Sequence, residues 1–386
     1  MINRGLEDVA IVGAGIGGLA TAIALSQRGA TVQVFEQANA VQNSGAGIWM
    51  PPNAMQVFAC LGVANDIKRS GIEISCAELH DYLAGLLQTI NTKSFIGWCN
   101  VAIQRRILQQ ILVNCAARTT TILFDHRLSG LREEQKGVSL QFSNSASHRA
   151  GIVVGADGIH SEVRRALFPD SELRYSGQTS WRAVIPFALP LKAIHKSIEI
   201  WAPGARFGYS AVAEDQVYWY ATADAPPDLR ESSEQARQRL MKMAEPFPWP
   251  IGDLVSGTVP EALIRTDLWD LPASKVWHRG RSVLLGDAAH AATPNLGQGG
   301  AQAVEDAWAL AQVLAEKSDA EEAFRQFEQV RARRVALVAR KARQLGRLAH
   351  LGGFGRFIRN IAFWATPAAI VQAQTNQLYD PGINKP

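Results

Sequence analysis

The sequence predicts an α/β fold in which a three-layer domain around a parallel sheet is interleaved with a second domain built on a mostly antiparallel β-sheet. Three observations lead to this prediction: a glycine-rich turn between a strand and a helix near the N-terminus, a long middle section of alternating apolar and polar residues, and a glycine-rich helix start near residue 300. At 386 residues, 47% of them hydrophobic, the chain can bury the core that two joined domains require.

The first element is a strand-turn-helix-strand unit whose turn reads Gly-Ala-Gly-Ile-Gly-Gly. In such a Rossmann-like unit, Gly13 makes the turn, Gly15 lets a pyrophosphate reach the backbone, and Gly18 allows the helix to pack against the strand. Glu36 is expected to accept hydrogen bonds from an adenosine ribose, so the unit predicts FAD or NAD rather than NADP as the resident dinucleotide. The predicted elements are a strand at Asp8–Val12, a helix at 19–28 and a strand at Thr31–Phe35.

The next section prepares a first excursion into the second domain. Glycines and prolines at 44–54 predict a tight loop, and residues 71–100 then change to short alternating runs without a helical signal. Helical spacing returns at 102–118, with Arg105 in the first turn. The predicted buried stripe of this helix is Ile103, Ile107, Ile111 and Leu112.

A second turn of interest follows a predicted strand at 151–154, after strands at 121–124 and 138–142. It contains Asp157 and Gly158 and leads into a helix that starts near Ser161. Ligands collect at the carboxyl ends of strands in open α/β sheets, so this turn is a candidate ligand contact. Asp-Gly is also a common pair in ordinary turns, and that interpretation stays open.

Residues 173–266 alternate in polarity and are predicted to form most of the second sheet. Because side chains alternate faces along a strand, Tyr218 and Tyr220 point one way and Trp219 the other. One face can then line a pocket while the other packs on helices. The predicted first domain comprises residues 1–70, 101–172 and 268–386, and the predicted substrate domain comprises 71–100 and 173–267.

The third turn passes from a strand at 282–285 through Gly286 and Asp287 into a loop, and then into a helix that starts in the run Gly297-Gln298-Gly299-Gly300. A helix start without Cβ atoms exposes N–H donors at the positive end of the helix dipole and lets a flat, electron-rich ligand approach closely. The alternative is a plain strand-loop-helix junction.

The C-terminal part contains a long predicted helix at 320–350. Its arginines are expected to form a solvated face, and the alternative is a membrane-surface role for this helix or for residues 354–371. Its apolar stripe is predicted to contain Phe324, Phe327, Val330, Val338 and Leu345.

Composition narrows the class of function. The net charge of +4 is mild and dispersed, so nucleic acid is not expected as a partner. The four cysteines show no paired spacing and are interpreted as reduced thiols, which predicts a cytoplasmic protein without a metal site. Neither a signal-peptide pattern nor a stretch long enough to span a bilayer is expected.

With the three turns in this order, the sequence resembles the class A single-component FAD-dependent aromatic hydroxylases and monooxygenases over nearly its whole length. The resemblance rests on the first turn with Glu36, on Asp157-Gly158, and on Gly286-Asp287 followed by Pro294 and the glycines at 297–300. Arg105 and the Trp181-Arg182 pair also fall where the family has them. The third turn is most similar to the branch of urate hydroxylase, zeaxanthin epoxidase and salicylate hydroxylase-like enzymes, and tetracycline-inactivating members are more distant.

The resemblance implies a FAD-binding domain of the glutathione-reductase type with a long C-terminal helix. Glu36 and Arg105 would hold the AMP and pyrophosphate half of a non-covalently bound FAD, Asp287 the ribityl chain, and the helix start at 297–300 the pyrimidine edge of the flavin. Pro294 would form the wall near the reacting ring. The implied cofactor-binding residues are Gly13, Gly15, Gly18, Glu36, Gly47, Arg105, Asp157, Gly158, Gly286, Asp287, Gly297, Gly299 and Gly300.

The implied activity is monooxygenation. NAD(P)H would reduce FAD, and it is expected to be a transient co-substrate because the sequence has no second Gly-x-Gly-x-x-Gly motif. The reduced flavin would trap O2 as a C4a-hydroperoxide. This hydroperoxide would hydroxylate or epoxidise an electron-rich aromatic or heteroaromatic small molecule. A urate-like or phenolic substrate is favoured, in a monomer or weak homodimer. The alternatives are a flavin-dependent reductase or oxidase, a tetracycline-type xenobiotic-modifying monooxygenase, and a non-catalytic binding protein of the Rab-escort type.

The sequence departs from some phenol-hydroxylating relatives, which have a histidine base where this chain has Trp49. Urate-hydroxylating relatives have an arginine and a tyrosine that align with Arg206 and Tyr218. We therefore hypothesise that Arg206 fixes an anionic or carbonyl-rich substrate and that Tyr218 orients or deprotonates it, with Pro294 as a third catalytic candidate. The alternative is that Arg206 pairs with a carboxylate of the sheet and Tyr218 only packs. Substrate contacts are predicted at Trp49, Arg206, Tyr209, Tyr218 and Tyr220.

Overall fold

Short apolar strands at the start of the chain build a parallel sheet, and the long alternating middle section builds an antiparallel one. A computed structural model describes residues 8–41, 46–92 and 97–381. The strands are β1 (Asp8–Val12), β2 (Thr31–Phe35), β3 (Gly47–Met50), β4 (Ile72–Ile74), β5 (Cys76–Asp81), β6 (Gly85–Asn91), β7 (Asn100–Gln104), β8 (Thr121–Leu123), β9 (Leu128–Glu134), β10 (Gly137–Phe142), β11 (Ser147–Ala150), β12 (Ile152–Gly155), β13 (Arg174–Pro186), β14 (Lys196–Ala202), β15 (Ala205–Ala213), β16 (Gln216–Asp224), β17 (Ile264–Asp270), β18 (His278–Arg279) and β19 (Ser282–Leu284).

The helices cover these sheets and form the C-terminal part of the chain. They are α1 (Ile16–Ser26), α2 (Pro52–Cys60), α3 (Ala64–Ser70), α4 (Arg105–Ala116), α5 (Glu162–Leu167), α6 (Leu191–Ile194), α7 (Ser233–Ala244), α8 (Ile251–Ser256), α9 (Asp287–His290), α10 (Gly299–Glu316), α11 (Ala320–Ala349), α12 (Gly353–Ala365) and α13 (Ala368–Tyr379). No helix in the described parts of the chain has both the length and the apolarity needed to cross a bilayer.

The first sheet has the strand order β18-β19-β12-β1-β2-β8, and its strands are parallel except for the β18–β19 pair. Val9, Ala10 and Ile11 of β1 are fully buried, as expected for the centre of a parallel sheet. Helices α1, α4 and α10 pack together beside it, and the antiparallel sheet β9–β11 contacts β1 and β12. The predicted α/β architecture is confirmed.

Two local predictions before residue 60 are wrong. Helix α1 begins at Ile16 rather than at residue 19, so that Gly17 and Gly18 lie inside the helix and Gly15 is its N-cap. The stretch at 44–54, described from Ala46 onward, is a strand followed by a helix instead of a loop. Pro52 lies in the first turn of α2. A proline suits this position because the N–H that it lacks would have no acceptor within the helix, and because its fixed φ is compatible with a helix.

The helix predicted at 102–118 begins at Arg105 in the structure, three residues later than predicted. Residues up to Gln104 belong to β7, the central strand of a small sheet with the order β3-β7-β4, so Ile103 is buried in a strand and not in the helix stripe. The buried residues of α4 are Leu108, Leu112 and Ala116. An apolar run next to a helix can fit the spacing of a helix as well as that of a buried strand, and pairing with neighbouring strands decides which one forms.

The second large sheet has the order β17-β13-β16-β15-β14-β5-β6 and is antiparallel except for the β14–β5 pair. The excursion predicted from residue 71 enters this sheet only at Cys76, because β4 pairs with β7 instead. One face packs on α7 and α8 through a cluster that includes Trp181, Phe207, Trp219 and Leu240. The other face turns toward the parallel-sheet side of the molecule.

Helix α11 differs from its predicted pattern. Phe324, Phe327 and Val338 are buried as predicted, but Val330 is 57% exposed. Arg331, predicted on a solvated face, is 3% exposed because Glu305 and Asp306 of α10 pair with it. The buried face of α11 is therefore rotated from the predicted one, so that it includes Arg331 and excludes Val330. The spacing of the apolar residues does not predict this buried cation.

Candidate active site

The three glycine-rich turns leave the carboxyl ends of three adjacent strands. Val12 pairs with Gly155, and Gly155 pairs with Leu284, so the turns after β1, β12 and β19 meet at one edge of the parallel sheet. Ligands bind at this edge in doubly wound folds because the strand ends and helix N-termini together leave a crevice there.

The first turn combines close packing with one open position. A Cβ on Gly18 would lie 2.0 Å from the carbonyl oxygen of Gly13, and Gly13 itself has a φ of +105°. Around the Cβ position of Gly15, by contrast, no atom of the described residues other than its own chain neighbours lies within 4 Å. The turn is therefore rigid where it packs and open where a ligand backbone contact is expected.

Glu36 supports this turn directly. One carboxylate oxygen accepts a hydrogen bond from Ala14 N at 2.7 Å, and the other accepts one from Ala38 N at 2.9 Å. A carboxylate offers about four acceptor positions, so Glu36 keeps capacity for a ribose hydroxyl while it holds the turn in shape.

Asp157 in the second turn caps the helix that follows it. Its carboxylate accepts hydrogen bonds from Glu162 N at 2.7 Å, from Val163 N at 3.1 Å and from the Ser161 hydroxyl. Burial raises the pKa of Asp157, and these donors oppose the rise. Gly158 has a φ of +80° with open space around its Cβ position, so the turn offers backbone rather than the Asp157 side chain to a ligand.

The third turn places Asp287 in the same cleft as Arg105. Asp287 is exposed to the cleft, but the surrounding protein limits its hydration and raises the pKa of its carboxyl, while the charges of His290 and Arg105 oppose the rise. Burial likewise lowers the pKa of Arg105, and Asp287 opposes that shift. Below them, Asp306 accepts hydrogen bonds from Gly286 N at 2.9 Å and from His290 Nε2 at 2.6 Å, which fixes the turn.

A cavity of about 390 Å³ lies between the third turn and the second sheet. Its lining joins the glycine-rich start of α10 to the open face of the sheet. Of the residues predicted from the sequence, it is lined by Gly47, Trp49, Arg105, Arg206, Tyr218, Tyr220, Asp287, Pro294, Gly297, Gly299 and Gly300.

The sheet wall of this cavity is organised around Glu199. Its carboxylate accepts hydrogen bonds from the Tyr220 hydroxyl, from Trp201 Nε1 and, at 3.2 Å, from Arg206 Nη1. Burial raises the pKa of Tyr220 well above its usual value, and the negative charge of Glu199 adds to this. Tyr220 therefore remains a protonated donor.

Arg206 is 1% exposed and connects the two walls. Besides Glu199, it donates to Thr222 Oγ1 at 2.9 Å and to the side-chain oxygen of Asn295 in the turn that follows Pro294. Arg206 therefore pairs with a carboxylate of the sheet, Glu199, as the alternative interpretation of the sequence expected. Thr222 in turn contacts His350 Nε2 at 3.3 Å.

Close packing fixes Tyr218, and a hydrogen bond fixes Trp49. A Cβ on Gly47 would lie 2.3 Å from the Tyr218 ring, and Trp49 Nε1 donates to Ser210 Oγ at 2.8 Å. Burial raises the pKa of Tyr218, although the charges of Arg182, Arg105 and Arg206 oppose the rise. The Tyr218 phenol is thus a neutral donor that faces the cavity.

The predicted substrate contact at Tyr209 is wrong for this geometry. Tyr209 pairs in register with Trp219 and shares its face, which packs on α7 and α8, so the ring is turned away from the cavity. Burial raises its pKa to about 12. Tyr218 and Tyr220 do share the opposite face from Trp219, as predicted.

Sequence patterns did not identify Glu199, Asn295 and Arg182 as site residues, although all three line the cavity. Glu199 could have been found from alternation, because it lies one residue from buried Ile200 on a strand whose other face is apolar. Asn295 had no such signal, since its role depends on a contact with a distant strand.

The packing of Tyr218 against Gly47 provides a first test of the site. Gly47→Ala is expected to displace the Tyr218 ring, since the added methyl would overlap it, and to raise KM for the aromatic substrate about tenfold. Gly130→Ala is the matched control, because its nearest neighbouring atom is 3.5 Å away on a flexible glutamine. Steady-state kinetics on both variants measure the effect, and equal KM values would contradict it.

A model of the FAD binding domain family matches residues 7–342 of the chain. The chain belongs to this family. It is 36% identical over 314 residues to the aurachin C monooxygenase/isomerase of Stigmatella aurantiaca, with 81% of each chain covered. It is 33% identical over 330 residues to the 2-heptyl-3-hydroxy-4(1H)-quinolone synthase of Pseudomonas aeruginosa, covering 82% of this chain and 84% of that protein.

The same fold is found among solved structures. Klebsiella pneumoniae HpxO, in a complex with FAD and uric acid, superposes with a TM-score of 0.88 at 25% identity, with 97% of each chain covered. This family member is therefore a FAD-dependent monooxygenase with the predicted fold. The geometry fits the cofactor: Gly15 is open to a pyrophosphate, Arg105 and Asp287 face the cleft, and the glycine start of α10 leaves room for a flat ring system.

Proposed function

We propose that the protein hydroxylates an electron-rich nitrogen heteroaromatic ring of the 4-quinolone type, with NAD(P)H as electron donor and O2 as oxidant. The observation that carries the proposal is the cavity in which a carboxylate, Glu199, and two phenols, Tyr218 and Tyr220, share one lining with the glycine-rich start of α10. The name of the 2-heptyl-3-hydroxy-4(1H)-quinolone synthase relative supports the ring class. A urate-like ring is the second candidate, supported by the HpxO complex with uric acid.

The chemical gradient of the cavity supports a ring that carries a hydrocarbon substituent. Across the sheet from β16 to β6, the lining changes from Tyr218, Arg206 and Glu199 to Ala77 and Ile90. Leu345 of α11 and Leu378 of α13 add further apolar side chains to the lining. Such a lining binds an apolar chain by burial, while the polar end fixes the orientation of the ring.

Bound FAD supplies the electron transfer and oxygen chemistry. The chain itself must hold the ring, exclude water and make the ring electron-rich. Glu199 already accepts three hydrogen bonds, which leaves about one acceptor position for a ring N–H. Removal of that proton increases the electron density of the ring. Tyr218, kept neutral by burial, can donate to a ring carbonyl oxygen.

The start of α10 contributes the electrostatics of the other wall. Free backbone N–H groups at the N-terminus of a helix stabilise negative charge nearby, and reduced flavin carries negative charge at its pyrimidine edge. Pro294 is exposed toward the same cavity and is proposed as the wall beside the reacting ring. We assign Arg206 a positioning role, because its guanidinium is engaged by Glu199, Thr222 and Asn295.

Glu199→Gln tests the role of this carboxylate. The amide keeps the shape: its oxygen can accept from Trp201 and its nitrogen can donate to the Tyr220 hydroxyl oxygen. It cannot remove a proton, so kcat is expected to fall about 100-fold. FAD content is expected to stay unchanged. Glu214→Gln, at an exposed turn, is the control. Substrate turnover at wild-type rate in Glu199→Gln would show that this carboxylate is not the base.

A ring panel tests the function itself. 4-Quinolones with and without an alkyl chain, urate, hydroxybenzoates and hydroxypyridines are added to the holoenzyme, and NAD(P)H oxidation and released hydrogen peroxide are measured. Stimulated oxidation with little peroxide is expected for the alkyl quinolones. Stimulation by urate alone would favour the second candidate, and a response to none of these rings would overturn the proposal.

A further inference from the structure

Helix α12 exposes a continuous apolar stripe. Phe354 is 76% exposed, Phe357 59%, Ile358 52%, Ile361 46% and Trp364 53%. Steps of three, one, three and three residues keep all five side chains on one face of a helix. An ordinary surface helix turns such a face toward the core, so this helix has the reverse orientation.

The polar side of α12 explains that orientation. Arg359, 3% exposed, donates to Asp81 at 2.7 Å and to the carbonyl oxygens of Leu348 and Ala349. Arg356 donates to the same carboxylate at 2.8 and 3.1 Å. These bonds fix the helix on the protein by its cations, and the apolar face is held outward.

The β5–β6 hairpin extends the apolar face. Leu83 is 67% exposed and Leu86 49%, and the Leu86 carbonyl oxygen accepts a hydrogen bond from Trp364 Nε1 at 3.0 Å. We call these two residues and the five of the helix stripe the C-terminal apolar surface. Monomeric proteins rarely expose so many large apolar side chains together unless something covers them.

The charge around this surface indicates what covers it. Residues 329–379 contain no Asp or Glu, and Arg333, Arg340 and Arg347 are exposed. Two copies of the same basic surface would repel each other, whereas an anionic lipid headgroup layer is complementary to it. Five of the nine Lys and Arg residues in this range pair with carboxylates, namely Arg331, Arg334, Arg343, Arg356 and Arg359. The other four have no ion pair within the described parts of the chain, and they supply the positive charge: Arg333, Arg340, Lys341 and Arg347.

We propose that the C-terminal apolar surface docks on an anionic lipid bilayer, with the apolar side chains in the headgroup region and the arginines of α11 near the phosphates. The interaction is peripheral. The apolar end of the cavity lies beside this surface, because Ile90 belongs to β6, and both α12 and α13 pack on β6. The docking is independent of the proposed function, since it needs no substrate.

Vesicle flotation tests the proposal with full-length holoenzyme. Binding to vesicles of phosphatidylglycerol and phosphatidylethanolamine is expected, with weaker binding to phosphatidylcholine and a decrease at high salt. The triple variant Phe354→Ser, Phe357→Ser and Ile361→Ser is expected to lower the bound fraction at least about tenfold. The matched control is Leu191→Ser with Val276→Ser, since these side chains are 86% and 53% exposed elsewhere.

The outcomes separate docking from folding and from self-association. Single variant Phe354→Ser, with the most exposed side chain of the stripe, checks the result if the triple variant loses FAD or melts early. Absence of wild-type binding to anionic vesicles, or equal binding by the stripe variants and the control, would overturn the proposal. A wild-type dimer in light scattering that the stripe variants convert to a monomer would overturn it in favour of a second copy.

Discussion

Arg331→Met is expected to destabilise the protein by about 3–5 kcal/mol, because it removes the cation that two buried carboxylates share and leaves them Arg334 and His290 as their remaining basic partners. Arg331 donates to Asp306 at 2.7 Å, to Glu305 and to the Gln302 side chain at 2.8 Å. The side chains of Glu305 and Asp306 are 2% and 0% exposed. Chemical denaturation of the variant and the wild type, both with FAD bound, measures the difference.

The effect is expected to extend to the cofactor site. Asp306 also holds Gly286 N and His290, and Glu305 accepts from Asn53 of α2. Loss of the cation therefore loosens the turn that carries Asp287. Arg333→Met is the matched control on the same helix, because Arg333 is exposed. If the free energies of unfolding of Arg331→Met and Arg333→Met differed by less than about 0.5 kcal/mol, the stabilising role assigned to Arg331 would be contradicted.

The same network predicts a pH dependence. Burial alone would raise the pKa of Asp306, but His290 and Arg331 outweigh it and hold the pKa below its usual range. The stability that this pairing provides is therefore fully present above the unfolded-state pKa of about 3.9 and is lost as the pH falls toward the lower folded-state value. The difference between wild type and Arg331→Met is expected to narrow below about pH 4 in denaturation curves.

Gly15→Ala is expected to weaken FAD binding at least about tenfold while the apoprotein changes in stability by less than about 1 kcal/mol. Gly15 has an ordinary extended conformation, with φ −72° and ψ −179°. In the parts of the chain that the structure describes, no atom beyond its two chain neighbours lies within 4 Å of an added Cβ. The methyl group therefore meets only the space into which the pyrophosphate must come. Titration of apoprotein with FAD, followed by flavin fluorescence, gives the affinity.

The control for this prediction is Gly252→Ala. Gly252 also has no neighbour within 4 Å of its Cβ position, but it lies in α8, away from the three turns. Unchanged FAD affinity in Gly15→Ala would show that the cofactor does not approach this turn. Gly18→Ala is unsuitable as a test, because its Cβ would strike the Gly13 carbonyl oxygen and distort the apoprotein as well.

The sequence predicted some element boundaries and some side-chain faces incorrectly, and each of these errors has an identifiable physical reason. Ile103 fits both a helical stripe and a strand, and its pairing with Ile48 decided for the strand. Tyr209 belongs to an aromatic-rich section like Tyr218, but the register with Trp219 turned it to the helix-covered face. A one-residue difference in register moves a side chain to the other face, and register is set by partner strands.

Local patterns in the sequence predicted the three glycine-rich turns, the family and the FAD-dependent chemistry, because a turn that must admit a pyrophosphate or a flat ring imposes local residue requirements. Three features emerge from the folded chain alone: Glu199 and Asn295 hold Arg206, two carboxylates enclose the buried Arg331, and α12 turns its apolar face outward. These features depend on side chains far apart in the chain. Their charges are satisfied by contacts that no local pattern encodes.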